Sequence, residues 1–169
     1  MMKKYVLHGI TLETVSKLAG FFHLEQQSLP QTLLLRGEVG TGKTAFAYRY
    51  VMSADASMSF ASPTYSIVRT YNTDRMTIHH FDLYRIGEHD YEWIYEYLGS
   101  ESARFLFEWP DLHRSLFDDI EYVELEFIYQ TEKTRNVVVS IDNKYEQKIK
   151  EFGKHEGIVF TECEEPISS

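Results

Sequence analysis

Two rhythms of apolar residues run along this chain. Tyr5–Leu7 opens a short β-prone run; Thr11 then offers an N-cap, and Leu12, Val15, Leu18 and Phe22 recur at helical spacing. Past a connecting loop over Gln26–Gln31, the apolar run Thr32–Arg36 predicts a buried strand, and Ala45–Met52 predicts a helix with no breaker. Ser66–Tyr71 and Met76–Leu83, separated by the turn Asn72–Arg75, predict an antiparallel hairpin. Tyr91, Ile94, Tyr95 and Leu98 mark a short amphipathic helix stopped by Gly99. Ala103–Glu108 is a further apolar strand that ends on a carboxylate, with Pro110 suited to the first turn of a short helix. In Glu121–Tyr129, Val123, Leu125 and Phe127 alternate with Glu124 and Glu126, which predicts a strand with one wet face. Arg135–Ile141 follows the turn Thr131–Thr134; Asn143 and Glu146 then fit a capping box for a last helix carrying Tyr145, Ile149 and Phe152. Glu162–Ser169 reads as a loose tail.

Strands and helices therefore interleave around one stretch. Gly37-Glu38-Val39-Gly40-Thr41-Gly42-Lys43-Thr44 fits the phosphate-cradling pattern G-x-x-x-x-G-K-[ST], and it lies between a predicted strand and a predicted helix, the context that gives the pattern meaning. Gly37, Gly40 and Gly42 remove the β-carbons that would keep the chain from curling round a phosphate. Successive amides then form an anion-binding nest at a helix N-terminus. Lys43 is expected at the β/γ-phosphates, the Thr44 hydroxyl on Mg²⁺, and Ala45 at the first turn beside them. The fold expected is α/β: a three-layer, P-loop NTPase-like arrangement with a mixed, largely parallel sheet plus antiparallel hairpins.

Composition narrows the setting without changing it. The 169 residues, 43% of them hydrophobic, suit one globular domain over 1–169 with a tail from about 162. No apolar run reaches membrane-spanning length, the Met1-Met2-Lys3-Lys4 start lacks the features of a signal peptide, and Cys163 is the lone cysteine, so cytoplasm is the default compartment. Seventeen basic against twenty-six acidic residues give a formal charge of −9, which argues against autonomous binding to nucleic acid. A solvated acidic surface and docking to a basic partner are both compatible with that balance.

A phosphate loop shows that a nucleotide binds; hydrolysis also needs carboxylates near the metal and the attacking water. Glu108 ends a strand, where α/β sheets line their ligand crevice, against the blander alternative of a solvated strand-end residue. Asp82, within Ile78–Tyr84, is either at the site or paired with a neighbour such as Arg85. Thr64 follows Pro63 in a switch-like loop where it could meet the metal or γ-phosphate, but on its residues alone it is better explained as a turn hydroxyl. The adjacent His79 and His80 face opposite ways on a strand and read as packing or site lining. Arg69, Arg85 and Arg104 are candidate phosphate contacts or surface ion pairs, and Trp93 is a packing residue or a partner anchor.

Taken together, Gly37–Thr44, Ser62–Val68, His80–Arg85 and Glu108-Trp109-Pro110 resemble the TsaE (YjeE) family, over about Leu12 to Ile141. The resemblance implies a small bacterial ATPase of tRNA threonylcarbamoyladenosine biosynthesis, using ATP and Mg²⁺ and acting with the transferase TsaD and its partner TsaB. By the same resemblance it would meet tRNA only through that complex. By position, the resemblance implies that Lys43 and Thr44 hold phosphate and metal and Thr64 is the switch-like threonine. Asp82 and Glu108 would be the acidic pair at metal and water, and Trp109 would lie beside the nucleotide. Val39, Thr41 and Thr70 depart from the usual family residues, and the chain beyond Ile141 matches nothing in it. Two rivals stay open: a P-loop small-molecule kinase, although Gly87–Ser102 has no Arg or Lys for a lid, and a nucleotide-gated binding module with incidental hydrolysis.

Overall fold

The computed structural model describes residues 1–87 and 90–163. Eight strands form one sheet: β1 (Met2–Ile10), β2 (Thr32–Arg36), β3 (Val68–Asn72), β4 (Thr77–Asp82), β5 (Ala103–Glu108), β6 (Tyr122–Tyr129), β7 (Arg135–Asp142) and β8 (Phe160–Cys163). Their order across the sheet is β3-β4-β5-β2-β6-β7-β1-β8. The central strands β4, β5, β2 and β6 run parallel. β3 adds antiparallel at one edge, while β7, β1 and β8 add antiparallel at the other. The sheet is thus mixed, as expected, with the parallel part at the centre.

The middle of β2, Leu33-Leu34-Leu35, is apolar because both faces of the strand are covered. Leu33 and Leu35 pack against α1 (Leu12–Leu24) and α2 (Lys43–Ala54), and Leu34 packs against the opposite layer. That second layer consists of short turns: 3-10 segments at Leu83–Arg85, Glu92–Ile94 and Pro110–Phe117, with the single turn α3 (Tyr95–Leu98). α1 starts where the sequence says it should, the Thr11 hydroxyl accepting the Thr14 amide at 3.3 Å. α4 (Glu146–Glu156) joins α1 and α2 on their face through Ile149 and Phe152.

Several local expectations are corrected. The box at Asn143 and Glu146 does not form: Asp142 caps a 3-10 turn at Asn143–Tyr145 by accepting the Lys144 amide, and Glu146 instead bonds Tyr5, Lys3 and Lys150. The wet face of β6 is only partly wet, because Glu124 is buried between Arg36 and Arg114. Glu162, placed in the tail, lies in β8, which pairs with β1 through Glu162↔Tyr5; the remaining tail residues 164–169 lie outside those described. Arg104 is neither a phosphate contact nor a surface ion pair. It is buried at the start of β5, donating to the carbonyls of Gln26 and Ala103 at 2.7 and 2.8 Å.

Candidate active site

The loop Gly37–Gly42 joins β2 to α2 at the C-terminal ends of the parallel strands, where their neighbours also terminate. Gly37, Gly40 and Gly42 all take positive φ, of 129°, 77° and 116°. At Gly37 a side chain is further excluded, since a β-carbon would lie 2.4 Å from the Phe127 carbonyl oxygen and 2.7 Å from the Thr41 hydroxyl. The loop is braced from outside. Arg135, at the start of β7, donates from Nε to the Thr41 carbonyl at 3.0 Å and from a terminal nitrogen to that of Gly40 at 3.4 Å.

Lys43 turns back over its own loop. Its ammonium donates to the carbonyls of Gly37 and Glu38, at 2.6 and 2.8 Å, and sits 4.0 Å from the centroid of the Trp109 ring. Burial lowers its pKa from the ordinary lysine value, with Glu108, Asp82 and Glu38 pulling the other way. The Thr44 hydroxyl donates to Glu108, 3.0 Å from each carboxylate oxygen. Glu108 also accepts from His80, whose Nε2 lies 2.8 Å from Oε1. Asp82 caps the turn that follows it, accepting the Tyr84 amide at 3.0 Å, while Arg85 lies over the Tyr65 ring rather than on Asp82.

A cleft of about 280 Å³ collects Val39, Gly40, Lys43, Thr44, Thr64, Asp82, Glu108 and Trp109. Thr64 comes from the 3-10 turn Pro63–Tyr65, its hydroxyl 2.7 Å from that of Ser62. Glu38, Gly37 and Thr41 form the loop itself without lining this cleft, and Thr41 and Ala45 border a neighbouring one of about 290 Å³ with Thr11, Leu12, Val15 and Arg135. The two clefts meet at Gly40. A larger groove, about 450 Å³, runs between α1 and α4, but no residue of the phosphate loop reaches it. The convergence of charged groups, not size, marks the site.

Two residues flanking the cleft carry backbone strain. Among the described residues, Ile67 (φ 66°) and Trp109 (φ 60°) are the non-glycine residues with positive φ. The Ile67 carbonyl accepts the Asp82 amide at 2.8 Å, and the Trp109 amide donates to the Leu35 carbonyl at 3.3 Å. Both strained positions thus hold the backbone next to an acidic residue of the cleft. Sequence reasoning missed three contributors: His80 as a donor to Glu108, Arg135 as the brace of the loop, and the Arg36–Glu124–Arg114 cluster behind it. His80 alone carried a hint, since it reads as packing or site lining; Glu124 reads as one of two glutamates on a wet face.

The family model described as threonylcarbamoyl adenosine biosynthesis protein TsaE matches residues 11–137. The chain belongs to the TsaE family. The TsaE protein of Rickettsia felis is 32% identical over 135 residues, covering 76% of each chain. That of Haemophilus influenzae is 29% identical over 122 residues, covering 64% of this chain and 77% of the relative. The crystal structure of Bacillus subtilis YdiB superposes with a TM-score of 0.68 at 21% identity, over 92% of this chain and 98% of that one, and shares the fold. The TsaE match ends within β7, so α4 and β8 lie outside it. No helix among the described residues is long and apolar enough to cross a membrane.

Proposed function

We propose that this protein binds ATP with Mg²⁺ and hydrolyses it, and that the hydrolysis serves threonylcarbamoyladenosine formation in tRNA alongside a TsaD-like transferase and a TsaB-like partner. The observation that carries the chemistry is the bond from Thr44 to Glu108 in a cleft shared with Lys43 and Asp82. It brings the hydroxyl after the phosphate lysine onto a strand-end carboxylate, with a second carboxylate beside it.

The donor set fits the metal. A hydroxyl and carboxylates are hard oxygen donors, and Mg²⁺ needs few of them because it retains waters and takes oxygens from the phosphates. Thr44 and Glu108 would hold it, directly or through water, and bound there it would neutralise charge building up on the β- and γ-phosphates. The loop amides orient the triphosphate, and Lys43 leaves its own loop's carbonyls for phosphate oxygens. Asp82, farther from the phosphate loop, orients the water for in-line attack on the terminal phosphorus. The bond to the bridging oxygen breaks, giving ADP and phosphate. The nucleoside occupies the neighbouring cleft beyond Gly40, with Ala45, Leu12 and Val15 against the base.

The test pairs chemistry with partners. Purified protein should release phosphate from ATP slowly and only with Mg²⁺, since no arginine finger is identifiable in the sequence. Pull-down against TsaB- and TsaD-like proteins should depend on ATP. A tRNA-modification assay should fail with Lys43→Ala. Transfer of the terminal phosphate to a metabolite instead of water would favour a kinase. Modification indifferent to Lys43→Ala would remove the proposed role.

A further inference from the structure

We propose that His80 is a positioning residue for Glu108: its imidazole fixes one carboxylate oxygen and leaves the other directed at the metal side of the cleft. The inference rests on the nucleotide-and-Mg²⁺ function proposed above. His80 lies on β4 and is fully buried, with Nε2 2.8 Å from Glu108 Oε1. A carboxylate only accepts, so Nε2 carries the proton and donates. The Thr44 hydroxyl reaches both oxygens of Glu108, and among the described residues Oε2 has no second protein donor.

The other ring nitrogen shows that packing alone does not explain this histidine. His80 Nδ1 is buried with no hydrogen-bond partner among the described residues, a penalty that an apolar side chain of similar size would avoid. The ring keeps a polar atom unsatisfied while using its other nitrogen on Glu108. Its orientation is also held: Phe60 stacks on it at 5.8 Å between centroids, with 27° between planes, and Phe60 stacks in turn on Tyr71 at 5.6 Å. The stacking favours the ring orientation that keeps Nε2 on Oε1. Glu108 is therefore set before any ligand arrives, and Phe60 begins the segment that leads to Thr64. Hydrogen-bond partners behind a metal-binding carboxylate typically account for an order of magnitude or more in metal affinity.

The experiment compares full-length wild type, His80→Leu and His80→Gln by calorimetric titration with ADP across a range of Mg²⁺ concentrations. His80→Leu should raise the half-saturating Mg²⁺ by about 10-fold or more, while ADP binding in excess chelator stays within about twofold of wild type. His80→Gln, which restores an N–H donor, should recover most of the loss. A leucine variant with the wild-type Mg²⁺ requirement, or a glutamine variant as impaired as leucine, overturns the proposal. Wild type without Mg²⁺-dependent ADP binding would instead overturn the function on which it rests.

Should the leucine variant not fold, the wild-type ring itself can be followed by long-range ¹H–¹⁵N spectra. The His80 Nε2 resonance should move on adding Mg²⁺ with ADP, and should shift in Glu108→Gln without nucleotide. A resonance indifferent to both refutes the assignment.

Discussion

Asp82 and Glu108 are register partners on the neighbouring parallel strands β4 and β5, so their carboxylates leave the sheet at one level and on one face. His80 and Leu106 are the partners two residues earlier, which puts His80 on that same face, under α2. A parallel ladder thus converts two stretches of sequence 26 positions apart, 108 less 82, into one acidic edge.

If that edge performs the chemistry, Asp82→Asn and Glu108→Gln should each slow phosphate release by about 100- to 10,000-fold. Only Glu108→Gln should also weaken the Mg²⁺ dependence of ADP binding, because only Glu108 touches Thr44. Phosphate-release kinetics and calorimetry on the same preparations separate the two roles. Near wild-type hydrolysis in either variant would take that carboxylate out of the site.

The glycines of the loop should not be equivalent. Gly37→Ala drives a β-carbon into the Phe127 carbonyl, whereas at Gly40 nothing lies within 4 Å and the penalty is conformational only. That conformational penalty is about 1–2 kcal/mol for a left-handed residue. Gly40→Ala is therefore expected to fold and bind ATP weakly, and Gly37→Ala to lose both binding and several degrees of melting temperature. Thermal melts with and without ATP would expose the reverse order, which would contradict the loop geometry.

Filling the neighbouring cleft should separate nucleoside from phosphate. Ala45→Phe is expected to weaken ATP binding by about 10-fold or more while leaving inorganic tripolyphosphate nearly unaffected, since only the base and ribose lose contacts there. Equal losses for both ligands would place the nucleoside elsewhere.

Acid stability should report on the other end of the sheet. Hydrogen bonds from Tyr5, Lys3 and Lys150 hold the Glu146 carboxyl down, from the ordinary 4.5 to about 2. A depressed carboxyl stabilises the folded state above its unfolded value, and that contribution fades as pH falls towards the folded one. Glu146→Gln should therefore melt lower than wild type at neutral pH, and the two curves should converge as pH falls from 4.5 to 2. Curves that stay parallel through this range would show that the network contributes nothing to folding.

The sequence made the central strands and the phosphate loop legible because their information is local. Thr32–Arg36 and Ala103–Glu108 are strands at the bounds the pattern predicts, with apolar residues on both faces. What stayed hidden depends on partners distant in the chain. β8 has an unremarkable composition and becomes a strand through pairing with β1. Asp142 wins the cap from Asn143 because Glu146, the other half of the predicted box, is drawn to Tyr5 and Lys3 across the sheet. The bonding partners of His80 and Arg135 are invisible for the same reason: each acts on an atom that only the sheet brings near.

Arg135 supports a loop 94 positions upstream, and β2, which feeds that loop, lies between β5 and β6, both later in the chain. During synthesis the glycine-rich motif emerges well before anything that can hold its shape. On the function proposed above, competence for nucleotide would be among the last properties the nascent polypeptide acquires, and an interrupted product ending before β7 would carry the whole motif without the Arg135 brace.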